Sequence, residues 1–90
     1  MQVTPIGVGS VVRSRAGRDA GREFLVVGIL DQEYVLLADG DLRKAERPKK
    51  KKVKHLSATG RKIRQAEEAA QSGSLSNAQI RSWLSNEEEQ

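Results

Sequence analysis

Ala16-Gly17-Arg18-Asp19-Ala20-Gly21-Arg22 separates two apolar runs, Val11-Val12 before it and Phe24-Leu25-Val26-Val27-Gly28-Ile29-Leu30 after it. Two glycines four apart let a chain double back where a Cβ would clash, and the charged residues between and after them must point into solvent. The β-branched and aromatic content of the flanks makes them strands, so the stretch predicts an antiparallel hairpin whose tip presents arginine. Asp19 is expected to brace that turn through its own backbone.

Working outward, Asp31-Gln32-Glu33 is a short polar break before a third strand, Tyr34-Val35-Leu36-Leu37-Ala38. Asp39-Gly40 is the strongest two-residue hairpin signal in the chain, because both residues tolerate positive φ, and it predicts a fourth strand beginning near Asp41 and Leu42. Pro48 cannot donate to a ladder and is expected at an edge or bulge, ahead of a last strand through Lys51, Lys52 and Val53. Short strands separated by turn signals every eight to twelve residues or so point to a small closed barrel, for which an SH3-like arrangement is the economical choice. The expected organisation is mainly β, with a barrel over residues 1–57 and a short helical appendage over 58–90.

The second strand is apolar at both parities, with Phe24, Val26 and Leu30 on one side and Leu25, Val27 and Ile29 on the other. One side fills the barrel and the other needs a cover, which the C-terminal segment can supply. Residues 61–71 place Ile63, Ala66, Ala69 and Ala70 at helical spacing, with Arg64 and Glu68 as an i,i+4 pair and Gly73 as a stop. A second helix has a better-marked start: Ser76 as N-cap, Gln79 completing a capping box, and Leu75 stapling against Ile80. Its stripe of Ile80, Trp83 and Leu84 is expected on the outer face of the second and third strands. Glu87-Glu88-Glu89 should fray, since carboxylates oppose the negative end of the helix dipole.

Ninety residues allow one domain and no deep catalytic cleft, and no nucleophile–base arrangement occurs, so an enzyme is not expected. The chain has no cysteine and one histidine, His55, which argues against a metal site and leaves no cofactor to expect. No apolar run reaches the ~18 residues of a membrane span, and Met1-Gln2-Val3-Thr4-Pro5 lacks the features of a secretory signal, so the expectation is a cytoplasmic monomer with no membrane partner.

Charge is uneven. Residues 1–62 hold 14 Lys and Arg against 7 Asp and Glu, whereas residues 63–90 hold 2 against 5. Five lysines fall in six positions within Pro48-Lys49-Lys50-Lys51-Lys52-Val53-Lys54-His55-Leu56. A basic body with an acidic tail indicates a polyanion as the partner of the body. The lysine block also looks like a nuclear-localisation peptide, but its place within a folded edge argues against that use.

The run from Gly9 to Ile29 resembles the KOW motif: a strand, a glycine-bounded basic loop and a second strand. Pro48 through Leu56, ending in Lys54-His55-Leu56, is similar to the basic strand and turn of the large-subunit ribosomal proteins of the L-fourteen-e family. The resemblance covers residues 7–56. It departs in the tail, which in those proteins is a longer, basic helical extension; small bacterial KOW-domain RNA-binding proteins end in a shorter helical segment, as this chain does. The resemblance implies a KOW-type barrel that binds ribosomal or other structured RNA, either as a ribosomal component or as an accessory factor, with ribosomal proteins as further partners. Its RNA contacts would be Arg15, Arg18, Arg22, Lys49, Lys50, Lys51, Lys52, Lys54 and His55, with Gly17 and Gly21 shaping the turn. His55 has an equally good structural reading as a hydrogen-bonding group at a strand end. Phe24 and Tyr34 lie in apolar runs and are expected in the core, which disfavours single-strand recognition by stacking. A protein-interaction module of the transcription or translation machinery is the alternative, and a methyl-lysine reader lacks the aromatic residues for a cage.

Overall fold

The computed structural model describes residues 6–85. Its strands are β1 (Ser10–Ser14), β2 (Glu23–Ile29), β3 (Tyr34–Ala38), β4 (Lys49–Lys52) and β5 (Leu56–Lys62), followed by helices α1 (Arg64–Ser72) and α2 (Asn77–Ser85). All neighbouring strands run antiparallel in the order β4-β3-β2-β1-β5. A single 3-10 turn, Val53–His55, joins the two edge strands and so brings the ends of the sheet together. The result is the small SH3-like barrel that the turn spacing implied.

Alternation along the strands creates two cores. Val12, Phe24, Val26, Val35, Leu37 and Leu56 fill the inside of the curled sheet. Val11, Leu25 and Ala38 point the other way and are covered by Ala66 of α1 and Ile80 of α2, with Trp83 and Leu84 packed alongside. Leu25 and Ile80 are both fully buried, each burial contributing about 1.5–3 kcal/mol. Ile80 of the α2 stripe is therefore internal, Trp83 and Leu84 are partly buried, and the helices cover the part of the apolar outer face around Val11, Leu25 and Ala38. The parity assignment ends at a bulge between Val26 and Gly28. Beyond it Ile29 and Leu30 are about half exposed, at 47% and 50%.

Gln79 donates its N–H to Ser76 Oγ at 3.1 Å, which starts α2 as expected, although the Gln79 side chain meets the Ser76 hydroxyl and not its backbone. Gly73 ends α1 in the left-handed conformation, φ 75°. α1 itself begins at Arg64, three residues later than the spacing suggested. Glu67 faces Lys62 at 3.9 Å, and no Arg64–Glu68 pair forms among the described residues. The Glu87-Glu88-Glu89 run lies outside the described residues.

Two strand assignments are corrected. No strand begins at Asp41; residues 39–48 form a loop, and Leu42 is 66% exposed. The Asp39 side chain explains this, because its Oδ1 accepts the N–H groups of Asp41 (2.9 Å) and Arg43 (2.8 Å). Such a local bond offers the backbone an alternative to the ladder. The fourth strand is the lysine block itself, entered from Pro48 at the sheet edge. The fifth, Leu56–Lys62, crosses the boundary expected at residues 57 and 58, so the helical segment starts after it.

Candidate nucleic-acid interface

The glycine turn is held from both sides. Ser14 donates its N–H to the Arg22 carbonyl (2.9 Å) and Gly21 to the Ser14 carbonyl (2.8 Å), closing the ends. Gly17 and Gly21 carry φ of 79° and 89°, where a side chain is strained. Arg15 and Arg18 are exposed on this fixed loop.

Strand register decides what each lysine does. Lys49 and Lys51 sit opposite Leu37 and Val35, which point into the barrel. Their stems follow that face and their ammonium groups emerge at the glycine turn, a snorkelling arrangement. There Lys49 Nζ lies 3.1 Å from Asp19 Oδ2, and Lys51 Nζ donates to the Ala16 carbonyl at 3.1 Å. Lys50 and Lys52 sit opposite Leu36 and Tyr34 and use the outer face instead. Their ammonium groups lie 4.5 and 5.8 Å from the centre of the Tyr34 ring. Tyr34 is thus half-buried under two lysines, not a core residue as expected from its apolar run, whereas Phe24 is in the inner core.

The remaining candidates lie on the 3-10 turn and at the end of the glycine loop. Lys54 is exposed on the 3-10 turn, and the His55 carbonyl accepts the Arg15 N–H at 2.8 Å, tying that turn to the base of the glycine loop. Arg22 is paired with Asp39 at 2.9 Å. The structure therefore brings the arginine turn and the lysine strand together, but it engages Arg22 and Lys49 with carboxylates and Lys51 with a carbonyl. Arg15, Arg18, Lys50, Lys52 and Lys54 have no carboxylate partner among the described residues.

The Asp19 backbone carbonyl accepts the Arg22 N–H at 2.9 Å and so braces the turn, while its side chain reaches out of it. Its carboxylate meets Lys49 and, at 3.9 Å, Arg43, a residue that the sequence reading missed. The run Arg43-Lys44-Ala45-Glu46-Arg47 was the available signal, passed over as a polar stretch ahead of Pro48. The Lys49 ammonium, paired with it at 3.1 Å, holds the Asp19 carboxyl below its usual 3.8, outweighing burial, with attraction from Arg43 and Lys51 adding to it. Burial pushes Asp39 up, but the N–H groups of Arg43 and Asp41 and the Arg22 guanidinium together bring it below 3.8.

Both carboxyls thus stay ionised to lower pH in the folded chain than in the unfolded one. Their contribution to stability is complete above pH 3.8 and is lost as pH falls through their folded-state values. Asp39→Asn keeps the shape and removes the charge. It should cost about 1–2 kcal/mol at neutral pH, the difference between charged and neutral hydrogen bonds, and it should flatten the acid loss of stability. Urea unfolding between about pH 5 and pH 2 checks both effects.

Among the described residues no group of three His, Cys, Asp or Glu side chains is placed to hold a metal ion. No described helix is long and apolar enough to cross a membrane.

No family model matches the chain. It is similar to large ribosomal subunit protein eL14 of Pyrobaculum calidifontis, 36% identical over 61 residues, which covers 68% of this chain and 59% of that protein. The eL14 of Pyrobaculum neutrophilum matches to the same extent, and that of Desulfurococcus amylolyticus is 32% identical over 59 residues, 66% of this chain and 62% of that one. The chain spans about three-fifths of the length of these curated relatives.

Proposed function

This chain is an eL14-like protein, and from that premise we propose that it binds structured RNA, ribosomal RNA in the first instance, through the glycine turn and the β4 edge. The observation that carries the reading is the double tie between the two basic elements, Lys51 to the Ala16 carbonyl and Lys49 to Asp19, which makes them one surface. A-form RNA presents phosphates and 2′-hydroxyls across a wide, shallow minor groove and hides its bases in a deep major groove. A rigid barrel end suits that target. Arg15 and Arg18 fork onto phosphate oxygens and fix orientation, while Lys50, Lys52 and Lys54 act as point charges along the backbone. The protein works by docking, without catalysis, as a monomer associated with cytoplasmic ribosomes and in contact with their proteins.

Five free cations set the expected salt dependence. Neutralising about five phosphates gives a slope of log K against log salt of roughly −3.5 to −4.5. Cosedimentation with large ribosomal subunits at low and high salt, followed by sequencing of crosslinked RNA, tests the reading. The expected result is salt-sensitive pelleting and crosslinks to helical rRNA. A slope near −1, or pelleting that survives removal of the RNA, would overturn it.

A further inference from the structure

The chain has three aromatic residues. Phe24 lies in the inner core and Trp83 packs in the outer one, while Tyr34 belongs to neither. It stands at the start of β3, next to the edge strand β4, on an outer face that the helices cover only around Val11, Leu25 and Ala38. Its cross-strand neighbour is Lys52, and Lys50 lies two residues along the same face. Both ammonium groups are within 6 Å of the ring centre.

We propose that Tyr34, Lys50 and Lys52 form a stacking subsite for one unpaired base of the bound RNA, beside the surface that grips its helical part. The inference rests on the RNA-binding reading above and adds a second kind of contact to it. Free of ligand, the ring is held by cation–π contacts with two lysines, each weak at an exposed site. A base stacked on an aromatic ring is worth about two to three times such a contact, and any base has the π-face required. The displaced ammonium groups then have phosphates on either side of that base within reach of their flexible stems. The exchange trades two weak contacts for one stronger contact and two charge pairs.

Position makes the subsite continuous with the main surface. Lys49 and Lys51 project from β4 towards the glycine turn, and Lys50 and Lys52 from the same strand towards Tyr34. A nucleic acid crossing this four-residue edge meets the turn on one side and the ring on the other. An RNA helix interrupted by a bulged nucleotide has the required form: paired backbone for the turn and one base free to leave the stack.

Two RNA hairpins test the idea, one fully paired and one carrying a single-nucleotide bulge, titrated with wild type, Tyr34→Phe and Tyr34→Ala. Tyr34→Ala should weaken binding of the bulged hairpin about tenfold and leave the paired one unchanged. Tyr34→Phe should behave as wild type with both. Ultraviolet crosslinking of the wild-type protein to the bulged hairpin should give an adduct at Tyr34, a readout that does not depend on the alanine variant folding. If wild type binds both hairpins with a steep salt dependence but shows no Tyr34 adduct and no selective loss in the variants, the subsite is wrong and the RNA reading stands. If wild type binds neither hairpin, both fall.

Discussion

Exchange of Arg15, Arg18, Lys50 and Lys54 for glutamine in one protein should lower RNA affinity about a thousandfold in about 0.1 M salt and leave the melting temperature nearly unchanged. The size follows from counterion release. Each phosphate contact contributes 0.7 to 0.9 of a decade per decade of salt, or roughly five- to eightfold at 0.1 M. Losing four of five contacts multiplies to about three decades and leaves Lys52 alone, so the salt slope should fall to roughly −0.7 to −0.9. Stability should hold because none of the four side chains pairs with a carboxylate among the described residues. Exposed positions of this kind typically change stability by less than about 0.5 kcal/mol each. Anisotropy titrations at several salt concentrations, beside a thermal melt, measure both quantities. A slope that stays near −4 in the quadruple variant would mean that RNA is held elsewhere.

The same change at Arg22 and Lys49 should act differently. These cations hold Asp39 and Asp19, whose side chains are largely buried, and removing them leaves Asp39 with backbone N–H donors alone and Asp19 with only the more distant Arg43, in a poorly solvated place, which is destabilising. Loss of binding in those variants would be inseparable from loss of fold. Two lysines adjacent in sequence, Lys49 and Lys50, therefore have opposite value as probes.

That distinction was not legible in the sequence, and the reason is register. β1 and β2 are joined by a turn whose glycines announce it, so their pairing and the two-sided use of Leu25 and Phe24 could be read directly. β3 and β4 are separated by the ten residues of the 39–48 loop, and a shift of one position would exchange the inward and outward lysines. Only the pairing of Val35 with Lys51 and Tyr34 with Lys52 decides it. β5 was hidden for a related cause. Ser57-Ala58-Thr59-Gly60 has little intrinsic strand preference, and its conformation comes from pairing with β1, a tertiary effect that local propensity does not carry. The start of α2 was readable because capping is local: Ser76 and Gln79 lie within one turn. The arginine turn was legible as a presenter of charge, but not Arg22's engagement with Asp39, which lies 17 positions away.

Gly40→Ala should destabilise the protein by about 2–4 kcal/mol, whereas Gly21→Ala should cost only about 1–2 kcal/mol. Both glycines have φ near +80 to +90°, at 79° and 89°, so the backbone strain of adding a Cβ is common to the two. Their surroundings differ. A Cβ at Gly21 meets nothing within 4 Å, while one at Gly40 would run into the Asn77 carbonyl oxygen and come to 3.0 Å from Arg81 Cγ. Gly40 is also where the 39–48 loop holds α2: its carbonyl accepts the Arg81 guanidinium at 2.6 Å, and Asn77 Oδ1 accepts the Ala45 N–H at 2.8 Å. Pushing α2 away at this point loosens Ile80 from its fully buried place over Leu25 and Ala38. Each kcal/mol lowers the melting temperature of a domain this size by roughly 4–8 °C, so mid-values about 1.5 kcal/mol apart should separate the two variants by roughly 6–12 °C in a thermal melt. RNA affinity gives a second axis. Gly21→Ala perturbs the turn that carries Arg18 and should weaken binding more than Gly40→Ala does, measured well below either melting temperature. Equal melting shifts would show that α2 does not depend on its contact with the loop, and that the outer core is held by its apolar packing alone.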